Sequence, residues 1–310
     1  MKKFILILGF LFFAGQAYAA DIYIATTGND TTGNGTVGTP YLTKQKAHDV
    51  ASSGDTIICA AGTYSPETFT ITKTITVQGP TGYSSEPTAI FSGNDWWKIS
   101  QIDITVTVND LKFLNGSGSG SPNGAAWLVF NNANSPKTAV VNRCVFRGLV
   151  ITDDTAGRTG IVMMADNTNA TGVNTISFTS CLFDSFTTSG AMSNRSALLF
   201  GNPGSVNTHV VNLTNCTLYY ASATVPDALI DTGMVVTLKN NIFNNVGGTN
   251  MGVEGVTTCN SSYNCYYTNW NQLPTLGTGD IQVDPLFIDP AGANFNLRPT
   301  SPAIDAGTVS

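Results

Sequence analysis

VTVNDLKF (106–113), AVVNRCVF (139–146), ISFTSCLF (176–183), VNLTNCTL (211–218) and VTLKNNIF (236–243) can be written beneath one another, and the fold follows from that alignment. Each segment alternates apolar and polar residues and then carries Leu111, Cys144, Cys181, Cys216 or Asn241 in one column, at steps of 33, 37, 35 and 25 residues. A second set runs between them: AWLVFNN (126–132), GIVMMAD (160–166), ALLFGN (197–202) and ALIDTG (228–233), at steps of 34, 37 and 31. Sandwich strands pair through short hairpins and need no such register. A solenoid produces it, because each coil sets equivalent residues above those of the coil below, about 4.8 Å apart. The expected fold is therefore all-β, a single right-handed parallel β-helix.

The same columns assign roles to individual residues. Phe113, Phe146, Phe183 and Phe243 read as an internal aromatic ladder. Asn240, Asn241, Asn244 and Asn245 read as corner or ladder residues, since Asn, Gly and Asp tolerate the left-handed backbone of tight corners. Open solenoid ends expose unpaired strand edges and call for caps. YLTKQKAHDVASSGD (41–55) spaces Leu42, Ala47 and Val50 roughly as a helix does, predicting a short N-terminal capping helix.

Composition narrows the partners. Lys2 and Lys3, the apolar run Phe4 to Ala14 and Ala17-Tyr18-Ala19 form a Sec-type secretory signal, with residues 1–19 removed and 20–310 forming one β-helix domain. The run is too short for a bilayer span, so no membrane insertion is expected once it is removed. Without those lysines, 12 basic residues face 20 acidic ones, a net charge near −8 with no basic cluster, which argues against nucleic acid. Of the six cysteines, Cys144, Cys181 and Cys216 lie in alternating segments as buried thiols; Cys259 and Cys265 are the one pair whose setting suits a disulfide.

The N-terminal run IYIATTGNDTTGNGTVGTPYLTKQKAHDVASSGDTIICAAGTY (22–64) resembles the opening of secreted right-handed β-helix proteins of the pectin-lyase-like superfamily. It shows their strand, Gly/Asn/Asp loop, short helix and Gly-Asp-Thr-Ile strand ending in Ala-Gly-Thr-Tyr. VDPLFIDPAGANFNLRPTSPAIDAG (283–307) is similar to their closing segment, here spanning about 280–307. In many relatives further sequence follows, often an anchor; here the chain stops at Ser310, and no surface anchor is expected. The resemblance implies a secreted or periplasmic protein with a polysaccharide partner. It does not imply one reaction, because such relatives include polysaccharide lyases, glycosidase-like proteins, epimerases and adhesins.

Two function classes follow. A lyase acting on an acidic polysaccharide must neutralise a uronate carboxylate and abstract the adjacent proton, commonly beside Ca²⁺. Arg158 and Arg195, 37 residues apart, are the candidates for neutralisation, with Lys239 or an arginine as base. Asp153 and Asp154 are the candidate calcium ligands, and Asp166 and Asp184 the carboxylates near the substrate; each equally suits an ordinary turn or surface ion pair. The alternative is a non-catalytic carbohydrate-binding or adhesive protein holding sugar rings on Trp96, Trp97 and Tyr219, where strand alternation places one of the adjacent indoles inside and one outside. Asp280, Asp284 and Asp289 suit either calcium or turns, and Asp-Pro at 284–285 and 289–290 favours turns.

Overall fold

The computed structural model describes residues 19–82, 86–116, 125–130, 136–152, 159–164, 172–189, 196–201, 209–220, 228–230, 234–245, 251–252, 258–267, 270–272 and 275–308. The chain is a right-handed parallel β-helix. Each coil visits three sheets in turn: a first of nine strands (Asp21–Ile24 to Thr258–Ser262), a second of eight (Gly62–Tyr64 to Cys265–Tyr267) and a third of six (Thr68–Ile71 to Ala228–Ile230). The repeat columns are the register itself: Val106 pairs with Ala139, Ala139 with Ile176, Ile176 with Val211 and Val211 with Val236. The second set of segments forms the third sheet, with Leu128 on Val162 and Val162 on Leu199.

The aligned eight-residue segments are not single strands. Each bends in its middle, as Thr105–Asn109 passes into Leu111–Leu114 through Asp110, whose φ is 59°. Arg143, Ser180, Asn215, Asn240 and Tyr263 hold the same left-handed backbone, with φ between 52° and 56°, at the equivalent place in the following coils. The corner lets Val108 and Leu111 both point inward although they are three residues apart, which alternation within one strand forbids. Asp and Asn suit that backbone; Arg143, Ser180 and Tyr263 are held there by the coils on either side.

Behind each corner lies an inward polar row. Cys144 Sγ donates to Val108 O (3.7 Å), Cys181 Sγ to Val141 O (3.5 Å) and Cys216 Sγ to Phe178 O (3.5 Å). Asn241 Nδ2 then donates to Leu213 O (2.9 Å), and Asn264 Nδ2 to Leu238 O (2.9 Å). Burial pushes the Cys181 and Cys216 thiols well up, so they remain protonated donors. Beside this row run the rings of Tyr64, Phe91, Phe113, Phe146 and Phe183, with neighbouring centroids 5.0–5.7 Å apart; Leu218 interrupts the ladder before Phe243 and Tyr266 resume it at 5.0 Å. Cys259 and Cys265 are both free. They lie on either side of the Tyr263 corner, in the first and second sheets, and Cys265 Sγ donates to Val283 O instead (3.3 Å).

The capping helix α1 spans Lys44–Val50, capped by Thr43, whose side chain accepts from Lys46 N. Its buried face is Lys44, Ala47 and His48, while Leu42 and Val50 are exposed, so of the three apolar residues expected inward only Ala47 points there. Lys44 decides the rotation. Its ammonium sits 2.8 Å from Asp95, 3.0 Å from Glu67 and 4.5 Å from the centre of the Phe91 ring. A buried cation between two carboxylates replaces the aliphatic contact that Leu42 would have made.

Asn241→Ala is expected to lower the urea midpoint markedly more than Cys216→Ala. It strips an acceptor from Cys216 N and a donor from Leu213 O, each orphaned buried group costing about 1–3 kcal/mol. Equal midpoints for the two variants would show that the amide row contributes no more than the thiol row.

Candidate functional site

The outward side of the second sheet carries the described charge cluster. Val145 and Arg147 flank the inward Phe146, and the outward column through Arg147 runs Leu114, Arg147, Asp184, Tyr219, Asn244, Tyr267 on successive coils. Arg147 Nε donates to Asp184 Oδ2 at 2.6 Å and Nη1 to Glu86 Oε2 at 3.1 Å. Lys112, one coil earlier, pairs with the same Glu86. Asp184 is buried and also accepts from Ser185 Oγ (2.8 Å). The four charges cancel.

At Glu86 and Arg147 burial and charge pairing oppose each other. Burial alone would raise the Glu86 carboxyl, but hydrogen bonds from Lys112 and Arg147 outweigh it and hold it below the ordinary glutamate value. Burial likewise pulls Arg147 down, and its bonds to Glu86 and Asp184 raise it overall. Tyr219 is raised, first by burial and then by Asp184.

The closing segment folds back over this face. Phe287–Asp289 and Asn294–Leu297 form an antiparallel hairpin, and Phe295 and Phe287 pack on Tyr219 with ring centroids 5.3 and 6.2 Å away. Asn240 clasps Thr308 through two hydrogen bonds, fixing the tail to the solenoid corner. Between the hairpin tip and the sheet an open cleft of about 730 Å³ remains. Ser180, Leu182, Asn215 and Thr217 line its floor, Gly292 to Asn296 one wall, and Glu86 with Arg147 the other.

The residues expected from the sequence are distributed as follows. Asp184 and Tyr219 are direct neighbours beside the cleft, Asp184 committed to Arg147 and Tyr219 covered by the hairpin. Trp97 points inward on the third sheet, fully buried among Phe69, Phe91, Phe113 and Trp127, with Nε1 donating to Asp95 (2.8 Å); no face of its indole is left for a ligand. Trp96 lies half-buried on the other side of the same strand. Lys239 is in the first sheet, in register with Thr214 and Ser262, away from the sheet that carries the cleft. Arg158, Arg195, Asp153, Asp154 and Asp166 lie outside the described residues. Among the described residues no group of His, Cys, Asp and Glu is arranged to hold a metal ion. Asp280, Asp284 and Asp289 accept from backbone N–H groups, Asp280 also from the Ser261 and Asn264 side chains, as turn and cap residues. No described helix is long and apolar enough to cross a membrane.

Glu86, Lys112 and Arg147 were not anticipated. A signal was present for Arg147, since it and Asp184 each follow the phenylalanine of the repeat and are 37 residues apart, the coil step. Glu86 precedes the strand Ala89–Ser92 and carries no periodic mark.

No protein-family model matches the chain, and no curated protein sequence does. Among solved structures it is similar to a rhamnogalacturonan lyase (15% identity, TM-score 0.42, covering 81% of this chain and 69% of that one). It is also similar to a pectin methylesterase from Aspergillus niger (14%, 0.39, 85% and 91%) and to a pectate lyase (13%, 0.34, 96% and 93%). The parallel coils implied by the two terminal motifs are present in the chain's own sheets.

Glu86 is held below its ordinary value, so the stability it contributes is present above that value and lost as pH falls through the folded one. Arg147→Ala is expected to cost about 1–3 kcal/mol at neutral pH, allowing for the one-fifth exposure of the arginine, and the deficit should shrink on acidification. A deficit that stays constant in urea titrations across that pH range would refute the assignment.

Proposed function

We propose that the protein is an exported polysaccharide-binding β-helix whose glycan lies in the cleft between the second sheet and the C-terminal hairpin. The cleft's lining carries this reading. A sugar ring presents hydroxyls around its rim and C–H groups on its faces, and the cleft sets the apolar Phe295 and Leu182 among the neutral polar Ser180, Asn215, Thr217, Asn294 and Asn296. The charge balance supports binding over proton transfer at this place. Glu86 is held ionised and Arg147 protonated, and a general acid or base must exchange its proton near the working pH.

Lyase chemistry is the second reading, with Arg158 and Arg195 neutralising a uronate, Lys239 as base and Ca²⁺ on Asp153 and Asp154. Thr159 pairs with Ser196, so the 37-residue step between the two arginines equals the local coil length. Purified residues 20–310 should bind at least one immobilised glycan, and Thr217→Ala with Asn296→Ala should weaken that binding about tenfold, roughly 1.4 kcal/mol, without moving the melting temperature. Ultraviolet absorbance of an unsaturated product, lost in Arg158→Ala or Arg195→Ala, would replace binding with elimination. Undiminished glycan binding in the double variant would remove the cleft from the proposal.

Export finds support at the first strand. Ala20 N donates to Asp55 Oδ1 at 2.8 Å, and buried Asp55 accepts also from Ser52 N (2.7 Å). Cleavage after Ala19 would turn that amide into an ammonium facing a buried carboxylate, a stronger charge-assisted bond. Intact-mass measurement of protein recovered outside the cytoplasm should give residues 20–310; a mass that includes residues 1–19 would overturn export with cleavage.

A further inference from the structure

Glu86 differs in kind from its partners. Lys112, Arg147 and Asp184 project from strands of the second sheet, and Arg147 is oriented through Nε by Asp184. Glu86 reaches the two cations from the connection that precedes Ala89–Ser92, and it forms part of the cleft wall.

Its carboxylate faces both cations at once. Arg147 Nη1 donates to Oε2 at 3.1 Å, Nη2 lies 2.7 Å from Oε1 and is shielded from water, and Lys112 pairs with Oε2. A sugar carboxylate carries the same two oxygens and the same charge, so it can take the same place on the guanidinium. Without Glu86 the cluster of Lys112, Arg147 and Asp184 would carry one net positive charge, which a single incoming carboxylate neutralises.

We infer that Lys112 and Arg147 form a subsite for a sugar carboxylate, and that Glu86 fills it in the empty cleft as an intramolecular stand-in that an acidic glycan must displace. The inference rests on the cleft being the glycan site. Glu86 is about one-quarter exposed, so the displaced side chain regains water by a small rotation. A neutral sugar cannot exchange with it, because removing Glu86 would leave one positive charge of the cluster unbalanced. The residue thus lowers apparent affinity by the fraction of time the subsite is closed, and it selects for charge.

The test is calorimetric titration of residues 20–310 with an oligogalacturonate and with a neutral xylo-oligosaccharide. Wild type, Glu86→Gln and Glu86→Ser are compared, with melting temperatures recorded for each. Glu86→Gln and Glu86→Ser should tighten oligogalacturonate binding about tenfold, shift xylo-oligosaccharide binding far less, and lose the gain when Arg147→Ala is added. Acidic binding that appears only in the Glu86 variants also supports a closed subsite. If the neutral oligosaccharide binds and the variants gain nothing for the acidic one, the stand-in role falls while the cleft reading survives. Tighter binding of both oligosaccharides, or weaker binding with a lowered melting temperature in both variants, assigns Glu86 a structural role and overturns the inference. No binding by any variant overturns both readings.

Discussion

Parallel strands stacked in register are the constraint on which everything else in this molecule depends. Each inward residue has its counterparts directly above and below at about 4.8 Å, so its shape must suit two near-copies of itself as well as the residues across the coil. Flat rings satisfy that requirement by stacking: Phe113, Phe146 and Phe183 lie within 9° of parallel, an arrangement available only when equivalent positions repeat without slippage. The corners obey the same rule. Once Asp110 turns the chain in the left-handed region, the next coil must turn at the same height, and Arg143 and Ser180 adopt a conformation that their side chains do not favour. Local preference yields to register there because slippage at one corner would misplace both adjoining strands.

The inward polar row shows how such a stack ends. A thiol donates weakly, and the three cysteines each reach a carbonyl of the preceding coil at 3.5–3.7 Å. Asparagine does more, since its amide donates to the preceding coil while its carbonyl accepts from the backbone there: Asn241 Oδ1 takes Cys216 N, and Asn264 Oδ1 takes Asn241 N. Such a row always leaves donors at its leading edge. Asp280 accepts from both Asn264 N and Asn264 Nδ2, and a carboxylate offers only acceptors, so the row stops. The change from Cys to Asn to Asp along one column is thus a change from core filling to termination, and it coincides with the last coil of the first sheet, where Cys259 and Ser261 replace the aliphatic residues inside.

The coil architecture was legible because register leaves a periodic trace: the columns of Cys144, Cys181 and Cys216 and of the phenylalanines are visible without coordinates. Of the corners only Asn240, read as a corner or ladder residue, was legible. Alternation from Val106 through Phe113 reads as one strand, and a single left-handed residue at Asp110 breaks it without a glycine to mark the place. The helix was found and Ala47 on its buried face, but not Lys44, which is held by Asp95, 51 residues away, a pairing that no local spacing encodes. The site divides along the same line. Asp184 and Tyr219 lie on repeat positions and were identified, whereas Glu86 has no periodic neighbour and acquires meaning only when Lys112 and Arg147 are seen on adjoining coils.

Register also governs what charge the outer faces can carry. Two like charges in one column, about 4.8 Å apart at an effective dielectric of about 20, repel by roughly 3–4 kcal/mol. A solenoid face therefore disfavours like charges on neighbouring coils of one column, and Arg147 and Asp184 alternate in sign instead. Lys112 adds a second cation beside Arg147 that no residue of the column balances, and the balance has to come from outside the repeat. Glu86 supplies it from a connection, where the chain is not bound to the coil spacing. A β-helix that presents a cation pair to a ligand must keep that pair neutral when the ligand is absent. An anion borrowed from a loop does this without fixing a charge into the stack, and it can leave when another anion arrives.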